Sequence, residues 1–186
     1  METRTLVRIA LMAALIGVLG LVPPVPLPIA GGVPITAQSL GVMLAGLVLG
    51  ARAGAVAVAL FLLVVALGAP LLSGGRGGLG VFMLPSAGFL IGFIPGAFVT
   101  GWLAGRAWPR ADLPRTVLAA AVGGIGVVYL LGIPVLAMVA GLPLLKAALG
   151  SAAFLPGDLI KALGAGLLAT TALKPWRATA AGGERP

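Results

Sequence analysis

Neither cysteine nor histidine occurs anywhere in the 186 residues. Their absence excludes disulfides, thiol chemistry and any metal site built on Cys or His ligands. Acids are almost missing too: Glu2, Asp112, Asp158 and Glu184 are the whole set. Spaced so far apart, they do not read as a carboxylate cage for a hard cation. Recognisable reaction motifs are also lacking. There is no G-x-x-x-x-G-K-[ST] loop to cradle ATP phosphates, no H-E-x-x-H and no G-x-S-x-G nucleophile elbow. Clustered acids of the kind that hold metal in membrane phosphotransferases are absent as well. No enzyme activity, cofactor or bound metal is expected.

Charge of either sign is scarce. Only 9% of the residues are charged and 60% are apolar, whereas soluble domains carry roughly 25% charged residues. This is the composition of a membrane protein, and 30 glycines with 15 prolines suit one. The formal net charge is +8. A nucleic-acid partner would require those charges on one exposed face with aromatics between them. Instead they punctuate apolar runs, as orienting charges do in a bilayer. The basic, then apolar start "TRTLVRIALMAALIGVLGLV" has the outline of a cleaved signal. "PPVPLP" follows it in place of a small-residue cleavage site, so it reads as a retained first helix.

The apolar runs predict an all-α membrane protein: one integral domain over 1–186, a bundle of six transmembrane helices. The expected spans are 6–22, 35–50, 53–69, 81–104, 116–139 and 154–173, with a tail at 174–186. Pro134 is expected to kink or end the fifth helix. Leu144–Gly150 reads as a separate outer turn or short helix. With six spans, both termini share a side. That side collects Arg4, Arg8, Arg52, Arg106, Arg110, Arg115, Lys174, Arg177 and Arg185, nine basic residues against Arg76 and Lys146 on the other. The bias predicts cytoplasmic N and C termini, a cytoplasmic tail, and a multi-pass protein of the cytoplasmic (inner) membrane.

The same topology gathers three unusual stretches at the outer end: "VPITAQS" (33–39), "SGGRGGLG" (73–80) and "PGDLIK" (156–161). Asp158 and Lys161, at i and i+3, share a helix face. They serve either as a self-neutralising pair that lets the helix insert or as a ligand site. Ionisable groups inside a membrane usually face a wet cavity, and an apolar pair would insert at lower cost, so the ligand reading is preferred. In the second stretch, Gly74, Gly75, Gly77 and Gly78 flank Arg76. The glycine amides and the guanidinium are candidates to receive a carboxylate; a flexible loop with a stray charge is the plainer reading.

Thr36, Gln38 and Ser39 lie at a helix start. Capping accounts for Thr or Ser there, while the Gln38 amide can both donate and accept. Phe82, Phe89, Trp102, Trp108, Tyr129 and Trp176 read mainly as packing residues or interface anchors. Phe82 is kept as a candidate wall of the site, and Tyr129, in mid-helix, as a candidate hydrogen-bonding contact. In the first helix, Ala10 and Ala14, like Ala13 and Gly17, have the small-xxx-small spacing of close helix contacts, within the bundle or with a partner.

"VPITAQSLGVMLAGLVLG", "GGRGGLGVFMLPSAGFLIGF" and "FLPGDLIKALGAGLL" closely resemble the BioY family, the biotin-specific substrate-binding (S) components of energy-coupling factor (ECF) transporters. The resemblance runs over about residues 5–173, with the motifs in family order. It implies a six-helix fold with cytoplasmic termini and high-affinity capture of biotin from outside. It implies as partners a transmembrane coupling protein and a pair of cytoplasmic ATPases, with Ala10-x-x-x-Ala14 matching the family's coupling-protein contact. One departure is "PSAGF" at 85–89, where the family pattern is nearer "PTGGY"; a tyrosine hydroxyl contact is absent at Phe89. On this resemblance Asp158 would accept from a ureido N–H and Lys161 would donate to the ureido oxygen. Arg76 or the glycine amides would take the valerate carboxylate. The reverse orientation places the carboxylate on Lys161. The alternatives are an S component for another small vitamin, an enzyme acting on lipid headgroups, or a purely structural membrane subunit.

Overall fold

Helices stand in all six of the apolar runs. The computed structural model describes residues 2–24, 33–107 and 112–171. Arg110, the tail at 174–186, and Trp108 and Trp176 lie outside the described residues. The helices are α1 (Thr3–Leu19), α2 (Gln38–Leu49), α3 (Ala51–Ala66), α4 (Ala87–Ala107), α5 (Leu113–Ala121), α6 (Val128–Ala140), α7 (Leu144–Ala152) and α8 (Leu155–Thr170). A 3-10 turn covers Leu79–Met83, and a π-helical segment, Val122–Val127, joins α5 to α6. Among the described residues there is no strand, and Leu72 and Arg76 form an isolated bridge.

Two expectations are corrected. Pro134 does not end the fifth helix: α6 runs through it to Ala140 and stops at Gly141, which takes the left-handed cap conformation at φ 63°. Pro134 lies on the exposed side, and prolines inside membrane helices are tolerated where local adjustments re-satisfy the freed backbone. The departure from α geometry occurs instead at "VGGIGV", where glycines weaken the α preference. The fourth helix begins at Ala87 rather than 81, because the chain first makes the 3-10 turn. The segment 144–150 is a helix in its own right, and α7 meets α8 at 53°.

Small residues set the packing. Gly88, Gly92 and Gly96 form one row along α4. A Cβ on Gly92 would come within 3.2 Å of Val128 Cα, and one on Gly96 within 2.9 Å of the Gly123 carbonyl oxygen. Helix α4 therefore lies on α6 and the π segment at backbone distance. On its other side, Gly101 approaches the backbone of Gly50 and Ala51, where α2 turns into α3. Helix α2 is buried on every side from Gly41 to Leu49 and forms the centre of the bundle.

The outside of the bundle is as apolar as the inside. Helix α1 buries Ile9, Met12 and Ile16 yet exposes Leu6, Leu11, Leu15 and Val18; a helix apolar all round belongs in a hydrophobic medium. Ala13 and Gly17 face inward, whereas Ala10 and Ala14 are exposed. Leu130, Met138, Leu145 and Ile160 are each at least 70% exposed. By length and composition Ala87–Arg106 and Leu113–Ala140 can cross a bilayer, the bent α7–α8 pair is a third candidate, and α2 and α3 are apolar but shorter.

Candidate functional site

Helix α8 opens with Pro156 in its first turn and Asp158 just after it. Proline is suited to that place, and an acid there meets the positive end of the helix dipole. Asp158 is 7% exposed. Lys161, one turn on, donates to Asp158 Oδ1 at 2.8 Å. Ser39, 119 residues earlier on α2, donates to the same oxygen at 3.1 Å. Its Oγ accepts from Lys161 Nζ at 3.0 Å. Tyr129 on α6 donates to Asp158 Oδ2 at 2.7 Å. Three helices are thus tied together by one partly buried, charge-assisted network.

Gln38, at the start of α2, has its amide spent on the protein. Nε2 donates to the carbonyls of Ile16 at 3.2 Å and Leu71 at 3.0 Å. Oε1 accepts from Ser73 N at 3.2 Å and Ser73 Oγ at 3.4 Å. Gln38 therefore joins the end of α1 to the loop that carries Arg76. That loop is a tight turn: Leu72 N donates to Arg76 O at 3.0 Å, and Gly75 N to Leu72 O at 2.9 Å. Gly74 and Gly75 sit at φ 81° and 69°, the left-handed region where glycine is unstrained. Arg76 Nε donates to Ser73 O at 3.2 Å, and among the described residues no carboxylate pairs with its guanidinium.

These elements surround a cavity with about 630 Å³ of atom-free space, its open mouth included. Phe89, Leu90 and Phe93 of α4 line one wall, and Val128, Gly124 and Phe154 line others. The Phe89 ring meets Tyr129 and Phe154 edge-on, at centroid distances of 5.9 and 6.2 Å. Polar groups on the lining are Asp158, Lys161, Ser39, Tyr129, Arg76, Thr36, Gln38 and Ser86. Two cations and one anion leave the cavity a surplus of one positive charge.

Of the residues singled out in the sequence, Thr36, Gln38, Arg76, Tyr129, Asp158 and Lys161 meet at the cavity. Gly74, Gly75, Gly77, Gly78 and Phe82 do not line it. The N–H groups of Gly75 and Gly78 are spent on Leu72 O and Val65 O, so these glycines shape the turn. Phe82 stands on the 3-10 turn and packs against the core. Capping does not account for Ser39: Ala37 holds the cap position, and the Ser39 hydroxyl lies inside the first turn and on the network. Ser86 and Phe154 were not singled out; lone hydroxyls and aromatics in so apolar a chain carry no signal of their own.

The chain matches known proteins over nearly its whole length. The profile of the BioY family covers residues 1–178. "Biotin transporter BioY" of Rhizobium etli is 59% identical over 173 residues, 90% of this chain and 92% of the relative. "Biotin transporter BioY" of Rhodobacter capsulatus is 48% identical, again over 90% of this chain and 92% of the relative. Among solved structures, one described as the S-component for biotin from an ECF-type ABC transporter has a TM-score of 0.83 at 30% identity, covering 91% of this chain and 92% of that one. The motifs at the cavity, the profile and the shared helical fold lead to one conclusion: this chain is a multi-pass membrane protein that belongs to the BioY family.

Proposed function

We propose that this protein is the biotin-binding S component of an ECF transporter, with its cavity open to the outside. The observation that carries this is what the Asp158–Lys161 network leaves unused. A carboxylate offers about four lone-pair sites, and an ammonium three donors. Oδ1 accepts from Ser39 and Lys161, and Oδ2 from Tyr129 alone, which leaves one acceptor site. Lys161 donates to Asp158 and Ser39, which leaves one donor. One acceptor beside one donor complements the N–H and C=O edge of a ureido ring. The unmatched cation, Arg76, complements the valerate carboxylate, and the phenylalanine walls suit the thiophane ring and chain. Gln38, Gly74, Gly75, Gly77 and Gly78 hold Arg76 in place rather than touch biotin.

The remaining assignments follow the same reading. The chain is one integral domain with six spans and cytoplasmic termini in the cytoplasmic membrane. A transmembrane coupling protein meets the exposed Ala10–Ala14 face of α1, and a pair of cytoplasmic ATPases supplies the energy. An S component for another vitamin would use this fold, but the ureido complement favours biotin.

Titration of the purified protein with biotin and with unrelated vitamins tests the reading; saturable binding of another vitamin in place of biotin would overturn it. The orientation is tested with Arg76→Met and biotin amide, which lacks the carboxylate charge. The variant should bind biotin roughly ten- to a hundredfold more weakly and no longer discriminate biotin from its amide. Undiminished discrimination would place the carboxylate on Lys161 instead.

A further inference from the structure

We infer that the hydroxyl of Ser86 hydrogen-bonds the bound ligand, as the single polar contact on the α4 wall of the cavity. The inference rests on the function proposed above. Ser86 is 8% exposed, and its Oγ is buried with no hydrogen-bond partner in the protein. Buried hydroxyls are rarely left so, and each exception calls for a cause.

The usual cause is missing here. Ser86 stands immediately before α4, where a serine side chain ordinarily accepts from an N–H of the first turn. It makes no such bond: Phe89 N donates to the Ser86 carbonyl at 3.1 Å, as Leu90 N does at 3.2 Å, and the hydroxyl has no partner. The hydroxyl is free of the helix, and Ser86 lies on the cavity lining with Phe89, Leu90 and Phe93. Positions 86, 89, 90 and 93 fall on one helix face. Ser86 is thus the one polar residue on a wall otherwise made of phenylalanine and leucine.

An unpaired buried hydroxyl costs stability in the empty protein and is repaid only when a ligand arrives. The two effects of removing it therefore have opposite signs. Ser86→Ala should leave the thermal midpoint of the ligand-free protein unchanged or raised, and should weaken biotin binding roughly three- to tenfold. Ser86→Thr, which keeps the hydroxyl, should retain at least half of the lost affinity. Both are read by calorimetric titration and thermal unfolding in detergent. Ser86→Ala binding biotin as tightly as the wild type would overturn this inference while leaving biotin capture intact. A wild-type protein that does not bind biotin would overturn the reading beneath it. A lowered midpoint for ligand-free Ser86→Ala would show a structural use of the hydroxyl and also overturn the inference.

Discussion

Asp158 holds the hydroxyls of Ser39 and Tyr129 and the ammonium of Lys161 on two oxygens. Asp158→Asn preserves the shape but turns one acceptor into a donor that faces other donors. Biotin binding should fall roughly ten- to a hundredfold, the value of one charge-assisted hydrogen bond. Lys161→Ala leaves the carboxylate buried without its cation, so it should lower the thermal midpoint as well as the affinity. The decisive variant is Asp158→Leu with Lys161→Leu. If the pair served insertion alone, two leucines would replace it at little cost and affinity would survive. We expect a folded protein with no measurable biotin binding in a titration. Wild-type affinity in that variant would remove the pair from the site.

Glycine has opposite meanings at two places on α4. A methyl on Gly96 would press on Val128 Cγ2 at 2.8 Å and the Gly123 carbonyl at 2.9 Å, whereas Gly105 has no neighbour within 4 Å. Gly96→Ala should destabilise by about 1–3 kcal/mol through overpacking. Gly105→Ala should be neutral or stabilise by up to about 0.5–1 kcal/mol, from helix propensity alone. Thermal unfolding of both in one detergent checks the contrast; equal effects would mean that the α4–α6 crossing is looser than described.

The same elements show what was legible in advance. Apolar runs of about 20 residues are unusual enough to reveal their helices, and charges inside such runs are rare enough to reveal Asp158 and Lys161; Arg76 stood out as one of two basic residues on the sparsely charged side. The π segment was not legible, because Gly123 takes its place from the neighbouring Gly96 and Thr100 on another helix. Nor was the role of Ser39, whose partner lies 119 residues away. The glycines around Arg76 were ambiguous for a different reason. A glycine needed for a left-handed φ looks, in sequence, like one needed for close approach of a ligand.

For the whole molecule, the exposed side of α1 is the place to separate assembly from capture. Ala10 and Ala14 are exposed and lie away from the cavity lining. Replacing both with Leu should impair co-purification with the coupling protein and leave biotin affinity unchanged. Lost affinity with intact assembly would assign them to the bundle instead. Reporter fusions at the two ends should both behave as cytoplasmic, as the nine-to-two basic asymmetry requires. External signals from both ends would reverse the cavity's sidedness, and one from a single end would overturn the six-span count.

The lone surplus positive charge of the cavity has an electrical consequence. Arg76 and Lys161 outnumber Asp158 by one, so a carboxylate ligand makes the filled site neutral and leaves the empty one charged. Moving one charge through a whole membrane is worth about 2.3 kcal/mol per 100 mV. An anion entering the cavity crosses only the part of the voltage drop that lies above Arg76. Affinity measured in vesicles at different potentials should therefore change with a slope proportional to that part. A site at the surface would give a flat line, and a site halfway down would give half of the full effect. The voltage dependence of capture thus becomes a ruler for how deep in the bilayer the ligand sits.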